Sequence, residues 1–578
     1  MKSLVTACFA LAFMATTAWA QDTEYLLNVP NADDPLGAYA TGLHSGARDI
    51  SGPHDLDNDG QPEILLADYT GGGRVHVIEN RGADTWELVF TTPVLDSTST
   101  TNNMRAVAAG DLDGDGFGEI VFLAGRGYSE FNPNADTYVP GLYVFEAQGD
   151  DNYGDAPASI YAFDDDLPDR WRAERIRVMD VDGDDVQEVM FGNNGGDNRY
   201  DNWYVLSVSG DIGSGFEFWT VELRLSSRGS EEFDPVTRGG GSPYDIIPAD
   251  VNGDGQMDLV MHSWNNYNFT MATATGADAY VAGDSTAANV FVQASDADQV
   301  AFFGGTPVDL DGDGNDEVVF GNLQSADVSV INFDEGASAL EITADNVGLG
   351  IIEDLTALGI AHGDLDGDGQ MEIFGSGPGY SAEAFADGEM PAFVRATEFI
   401  GGDVLDPASY DGVQVFDIGQ DFDMAEFDLV RRDSAGVMTE FFEAGVQGAA
   451  FVSKFAYLGD ADGDGFNELA VAFQGVDDST FVYNEVFNPA DSTYTRTVES
   501  VTVNENRVFM RVLTGTAGFS VDVEDERVIV PSDYKLDANY PNPFNPTTSF
   551  SFTLPIDKQV SVKVFDLNGR LVDTLVDN

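Results

Sequence analysis

An acidic stretch, Gly110–Asp111–Leu112–Asp113–Gly114–Asp115–Gly116–Phe117–Gly118–Glu119, runs directly into an apolar one, Ile120–Val121–Phe122–Leu123, and variants of the pair recur seven times in 578 residues. The first aspartates of the copies are Asp55, Asp111, Asp180, Asp250, Asp309, Asp364 and Asp460. No other feature restricts the fold as strongly. A unit that returns every few tens of residues demands a repeat architecture, in which each unit buries its apolar surface against the next.

Each copy sets an acid or an amide at positions 1, 3, 5 and 9 of a short loop. The sets are Asp55, Asp57, Asp59 and Glu63; Asp111, Asp113, Asp115 and Glu119; Asp180, Asp182, Asp184 and Glu188; Asp250, Asn252, Asp254 and Asp258. The remaining three are Asp309, Asp311, Asp313 and Glu317; Asp364, Asp366, Asp368 and Glu372; Asp460, Asp462, Asp464 and Glu468. Alternate residues of a tightly curled backbone point inward, so these oxygens converge. Converging carboxylates repel one another unless a hard cation lies among them, and an all-oxygen site suits calcium. About one Ca2+ per intact loop is expected, with a bidentate acid at position 9. The Asp180 loop has Asp185 where the others have glycine, and the Asp250 loop has one carboxylate fewer, so both are expected to bind more weakly.

The spacing differs from an EF-hand, whose bidentate acid comes at position 12 and whose loop is flanked by helices. Here the flanks are short apolar, β-branched runs such as Ile64–Leu65–Leu66 and Glu317–Val318–Val319–Phe320, which read as strands. Each loop therefore closes a hairpin. The unit h-G-D-h-D-G-D-G-x-x-E-h-h-h, with h apolar, resembles the FG-GAP/VCBS repeat of integrin α-chain-type β-propellers. The resemblance spans roughly residues 40 to 530. It implies one propeller blade per repeat, with the calcium loop between the first and second strands.

The intervals between first aspartates are 56, 69, 70, 59, 55 and 96 residues. The first five suit four-stranded blades. Inside the last lies Asp421–Phe422–Asp423–Met424–Ala425–Glu426–Phe427–Asp428–Leu429–Val430, which looks like a repeat that has lost a residue and its glycine. Either seven blades carry one insertion, or there are eight and one lacks metal. Seven is preferred, because Asp421 stands only 39 residues before Asp460. Glu24–Tyr25–Leu26–Leu27 reads as a strand that could close the ring with the last blade. The fold class is thus all-β, a seven-bladed (alternatively eight-bladed) propeller over 21–530.

The first 20 residues read as a secretory signal: Lys2, an apolar run from Leu4 to Met14, and Ala18–Trp19–Ala20 before Gln21. Cys8, the only cysteine, lies within it, so calcium rather than disulfides is expected to hold the mature chain. No mature stretch approaches the roughly 20 apolar residues of a membrane span. With 26 basic and 101 acidic residues the formal charge is −75, of which the loops explain 27 acids. Such a surface excludes nucleic acid and anionic membrane as partners by repulsion.

From 531 to 578 the pattern changes. Asn539–Tyr540–Pro541–Asn542–Pro543–Phe544–Asn545–Pro546–Thr547–Thr548 is turn-rich, and strands read over Phe550–Leu554, Val560–Phe565 and Leu571–Val576 around a turn at Asp566–Arg570. The opening and the segment from Val562 to Leu575 resemble the type A C-terminal sorting domain of the type IX secretion system. That resemblance implies a small immunoglobulin-like β-sandwich, truncated here, and export through an outer-membrane translocon as partner.

In a four-stranded meander the connections after strand 2 lie on the disc face opposite the acidic loops. Several carry aromatics and amides: Arg126–Gly127–Tyr128 through Tyr138, Asn193–Asn194–Gly195–Gly196 through Arg199 and Tyr200, and Ser263–Trp264–Asn265–Asn266–Tyr267. Aromatic faces stack on sugar rings and amides meet hydroxyls, so a glycan or a cell-surface protein is the expected ligand. Catalysis has little support. His44, His54, His76, His262 and His362 show no metal spacing, and His54 and His362 read as structural. A polysaccharide lyase is the runner-up, with Arg126, Arg199 and Arg238 as its candidate basic residues. The expectation is a secreted or cell-surface binding and adhesion module.

Overall fold

The structure is a computed structural model. It describes residues 22–28, 45–68, 74–82, 85–93, 104–124, 141–162, 171–194, 201–230, 234–264, 268–283, 290–292, 302–322, 327–333, 342–353, 355–376, 393–411, 414–417, 428–434, 437–446, 451–475, 479–488, 493–503, 506–515, 535–536, 552–553, 561–565 and 571–577. Two compact units are formed, Met1–Phe519 and Ser520–Asn578.

The first unit is a seven-bladed β-propeller. Blade one comprises Ser45–His54, Glu63–Asp68, Arg74–Asn80 and Trp86–Thr91, and blade two Val107–Gly110, Glu119–Ala124, Gly141–Glu146 and Ser159–Ala162. Blade three comprises Ala173–Met179, Glu188–Asn194, Asp201–Ser209 and Phe218–Ser226, and blade four Pro243–Ala249, Asp258–Ser263, Asn268–Gly276 and Ala279–Ala282. Blade five comprises Phe302–Val308, Glu317–Asn322, Asp327–Ile331 and Val347–Glu353, and blade six Thr356–Gly363, Glu372–Ser376, Phe393–Glu398 and Gln414–Asp417. All are antiparallel meanders, and successive inner strands touch around the ring.

Blade seven is assembled differently. Its inner three strands are Phe451–Gly459, Glu468–Gly475 and Asn506–Thr514, and its outer strand is Asp22–Asn28, paired from Asp22 opposite Leu513 to Asn28 opposite Asn506. The strand read at Glu24–Leu27 therefore closes the circle from the other end of the chain. The long last interval is an insertion. Asp428–Ser434, Val437–Val446, Ser479–Asn488 and Thr493–Val503 form a separate four-stranded sheet, fed from before the inner strand and from between the second and third. Asp421–Phe427 lies outside the described residues, and among the described residues the ring has seven blades.

Packing explains why the second strands are apolar without a break. Ile120, Phe122 and Ala124 enter the core shared with blade one, whereas Val121 and Leu123 enter the core shared with blade three. A strand covered on both faces has no polar side to alternate with. Full burial of Phe122 contributes about 1.5–3 kcal/mol. Ring closure also covers strand edges that would otherwise pair with other chains.

In the second unit Lys535–Leu536 pairs with Phe552–Thr553, and Ser561–Phe565 pairs with Leu571–Asp577; the expected turn at Asp566–Arg570 lies outside the described residues. The signal segment and Asn539–Thr548 lie outside the described residues. Among the described residues no helix is long and apolar enough to cross a membrane.

Candidate metal centres

All seven acidic loops join an inner strand to a second strand, and the residue at position 9 is in every case the first of that second strand. Two hydrogen bonds recur in all of them. The N–H at position 6 donates to the position 1 aspartate, as from Gly116 to Asp111 Oδ2 at 3.1 Å and from Gly314 to Asp309 Oδ2 at 3.1 Å. The N–H at position 7 donates to the position 5 aspartate, as from Phe117 to Asp115 Oδ1 at 2.8 Å and from Phe466 to Asp464 Oδ1 at 2.9 Å. The curl needs positive φ at positions 4 and 6, for example 76° at Gly114 and 96° at Gly116. A side chain at Gly114 or Gly116 would meet nothing, so glycine is favoured there by backbone conformation alone, whereas at Gly253 a Cβ would also run into Gly314 O at 2.9 Å.

The result is convergence. Asp364, Asp366, Asp368 and Glu372 bring carboxylate oxygens within 4.8 Å of one another, as do Asp55, Asp57 and Asp59, and Asp111, Asp113 and Glu119. The position 9 carboxylate is also tied to the backbone of its own loop. One of its oxygens accepts the N–H of position 2: Leu56 to Glu63 Oε2 at 2.8 Å, Leu112 to Glu119 at 2.7 Å, Val181 to Glu188 at 2.9 Å, Leu310 to Glu317 at 2.9 Å, Leu365 to Glu372 at 2.7 Å and Ala461 to Glu468 at 2.8 Å. The other oxygen, Oε1, is buried without a hydrogen-bond partner in Glu63, Glu119, Glu372 and Glu468.

These orphaned oxygens test the fit of a cation. A buried carboxylate oxygen without a partner costs several kcal/mol or takes up a proton. Burial, followed by the charges of the loop aspartates, pushes Glu119 up to about 9 and Glu63, Glu188, Glu317, Glu372 and Glu468 up to about 8, against the pull of the position 2 N–H. A divalent ion with oxygen ligands removes that cost and keeps the acids ionised. The residues present fit such an ion.

The two degenerate loops depart in separate ways. Asp185 holds the position 6 geometry with φ 68°, without the freedom of glycine, and its N–H still reaches Asp180 Oδ2 at 3.1 Å. In the Asp250 loop, position 9 is one methylene shorter. Asp258 accepts instead from Thr273 Oγ1 at 2.6 Å, leaving Oδ2 buried and unpartnered, and the Asp250 N–H turns to Asp316 Oδ2 at 2.8 Å. Asn252 keeps its place, accepting the Asp254 N–H at 3.0 Å.

Position 3 does more than the sequence reading assigned to it. Its second oxygen accepts an N–H from the following blade: Asp57 from Asp151 at 2.8 Å, Asp113 from Ile212 at 2.7 Å and Asp182 from Asp278 at 2.6 Å. The sequence reading also missed three glutamates, Glu79, Glu146 and Glu398, which stand directly across from Glu63, Glu119 and Glu372 on the third strands. Each stands at or next to the end of its third strand, but its distance from the loop varies, so no fixed spacing marks it.

On the opposite face, at the start of the inner strands, the channel holds acids of another kind. Glu174 pairs with Arg105 and with Arg48 at 2.9 Å; Asp49 pairs with Lys454 at 2.9 Å and Arg175 at 3.2 Å; Asp245 receives Arg177 through Nε at 3.1 Å and Nη2 at 2.7 Å. Beside them Tyr244 stacks on Trp264 at 5.8 Å, Phe303 meets both edge-on, and Arg48 lies over Phe303 at 5.7 Å. Trp264 is 37% exposed.

Among the loop residues named from sequence, Arg126 through Tyr138, Arg199, Tyr200 and 265–267 lie outside the described residues, as does His44. Arg238 is not poised over a cleft. It is buried and held by Asp234, Ser226 O at 3.1 Å and Gly283 O at 2.9 Å, so its role is structural. His54 bonds Ser51 Oγ at 2.9 Å and His362 bonds Thr306 Oγ1 at 2.7 Å, while His262 packs against Phe302 and Phe320. Burial holds all three near 4, hence uncharged at neutral pH.

The FG-GAP-like repeat matches residues 55–122, the first and second acidic loops with the strands between them. No curated protein matches the sequence. Among solved structures the chain is similar to an Agrocybe aegerita lectin described by its recognition of non-reducing terminal N-acetylglucosamine, at 16% identity and TM-score 0.40, over 78% of this chain and 95% of that one. It is also similar to the BP39L lectin of Burkholderia pseudomallei, at 14% identity and TM-score 0.39 over 79% and 100%, and to the rhamnogalacturonan lyase YesW, at 13% and 0.35 over 82% and 72%.

Proposed function

We propose that this protein is a secreted or cell-surface calcium-binding β-propeller that acts as a binding and adhesion module, exported by the type IX secretion system through its C-terminal unit. Calcium in the seven loops fixes the hairpin corners of one face and leaves the other to bind. The observation that carries the binding role is the aromatic platform of Trp264, Tyr244 and Phe303 beside Arg48. An exposed indole backed by the buried ring of Tyr244 and the half-buried ring of Phe303 offers a rigid flat surface, and the Arg48 guanidinium over Phe303 stiffens it. That combination suits a sugar ring with its hydroxyls, so a glycan is the ligand proposed, with a cell-surface protein bearing such a glycan as its natural context. Against the alternative, a polysaccharide lyase, counts that Arg238, its one candidate basic residue among the described residues, is held by one ion pair and two carbonyl contacts.

A glycan array on the calcium-loaded chain tests this. A defined set of sugars is expected to bind, without product formation, and Trp264→Ala is expected to weaken binding on the order of tenfold, the loss of one stacking contact, at unchanged melting temperature. Equal binding by the variant would move the site elsewhere on the ring. Unsaturated-sugar absorbance on uronic-acid polymers would replace the binding role with the lyase.

A further inference from the structure

We propose that neighbouring blades share divalent cations of their own, held between the acidic loops at the junction of blades one and two and again at that of blades two and three. At the first junction Asp57, Asp150 and Asp151 bring carboxylate oxygens within 4.8 Å of one another. Asp57 belongs to the loop of blade one, and Asp150 and Asp151 to the connection between the third and fourth strands of blade two. Glu79 approaches from the third strand of blade one.

Acids crowded together are no site by themselves, but three atoms here point to a missing partner. Glu79 is fully buried and lies within hydrogen-bond reach of Asp151, yet no donor reaches its Oε2; none reaches Asp151 Oδ1; and Tyr153, 1% exposed, has a hydroxyl without a partner. Tyr153 follows Asp151 by two residues on the same connection. A phenol beside carboxylates would donate to one of them if it lay within reach, and it does not. The gap between these oxygens has the chemistry of a hard-cation site or of a water.

Charge favours the cation. Arg81 pairs with Glu79 and, at 2.5 Å, with Asp151, and it is one positive group against four carboxylates. At the second junction the arrangement returns. Asp113 of the loop, Glu146 at the strand position of Glu79, and Asp211 from the next blade lie within 4.8 Å of one another, and Glu217 Oε2 nearby is buried and unpartnered. Two adjacent junctions that use the same strand position and the same loop aspartate make coincidence a poor account. An ion at this place joins blades, whereas a loop ion pins one hairpin.

Calcium content of the full chain, measured after dialysis at fixed free calcium, separates the two kinds of site. The paired variants Glu79→Gln with Asp151→Asn, and Glu146→Gln with Asp211→Asn, are each expected to lose one calcium per chain. Each is expected to melt below the parent in calcium and above it in chelator, where only repulsion has been removed. Unchanged calcium content, or a higher melting temperature in both conditions, overturns the proposal and leaves protons or water in the gap. Terbium replaces calcium and is excited through a nearby phenol, so Tyr153→Phe is expected to lower tyrosine-sensitised emission; unaltered emission counts against the site. If the loops themselves bind nothing, the parent's calcium content falls to at most the junction ions, which distinguishes that failure from this one.

Discussion

Glu119 and Glu174 are the same residue type, both about 1% exposed or less, on one propeller, yet their acidities lie at opposite extremes. In the loop, burial and neighbouring aspartates push Glu119 up to about 9. In the channel, where burial alone would also raise it, Arg105 and Arg48 hold Glu174 down to about 2. Desolvation is common to both, so the partner decides the outcome. The channel supplies its countercharges from the chain. The loops do not, and their unpartnered oxygens state the size of the omission.

Removing the ion breaks the comparison most severely. Exhaustive chelation is expected to lower the melting temperature by more than any single substitution, because all the loops lose their countercharge together, and to expose the hairpins to protease. The pH dependence fixes the sign. In the metal-free fold, position 9 acids keep their protons between the ordinary value of 4.5 and the raised one of about 8 to 9. The native state then binds more protons than the unfolded chain, so stability is fully present below that window and is lost as pH climbs through it. Melting in chelator is expected to fall between about pH 5 and about pH 9, and the slope to flatten in calcium. A chelated protein with an unchanged melting point, or with a rising slope, would show that the loops need no ion.

The channel gives the next largest effect. Glu174→Ala leaves the half-buried Arg48 and Arg105 facing each other without its carboxylate and is expected to cost about 3 kcal/mol by urea unfolding, in calcium and in chelator alike. Glu119→Gln should behave otherwise, destabilising in calcium and stabilising in chelator. A calcium-dependent effect at Glu174 would erase the distinction between the two regions.

Much of this was legible in the chain because it is written locally. The seven loops, their strand flanks, the ring-closing strand and the insertion before Asp460 follow from short patterns that fold on themselves. What was not legible depends on register and on contacts across blades. Glu79 and Glu146 stand opposite loop glutamates by strand pairing, 16 and 27 residues from Glu63 and Glu119, so no fixed spacing announces them. The second role of Asp57, accepting an N–H from Asp151, joins residues 94 apart. The channel's arginines were scattered among strand residues with no common motif. Asp258 could be read as an acid at position 9, but only geometry shows that a methylene fewer diverts it to Thr273.

The smallest expected effect is at Asp185, and it sharpens the comparison because it adds an acid where none is needed. The residue is exposed and sits at φ 68°, in the place where the other six loops have glycine. A side-chain-bearing residue there costs about 1–2 kcal/mol, less for aspartate than for most. Glycine returns part of that gain through greater freedom in the unfolded chain. The net for Asp185→Gly is thus about 0.5 kcal/mol of added stability in calcium, a shift of about a degree in melting temperature. In chelator the gain should be larger, since one repelling charge also leaves the cluster around Asp180 and Asp184. The reverse change, Gly116→Asp, should cost about 1 kcal/mol and weaken with calcium. Asn58 is the contrasting control: it stands at φ 60° in position 4 but is uncharged, so Asn58→Gly should show the backbone part of the effect with no dependence on the ion. If Asp185→Gly and Asn58→Gly respond identically to chelation, charge plays no part at the third loop and strain alone accounts for the difference.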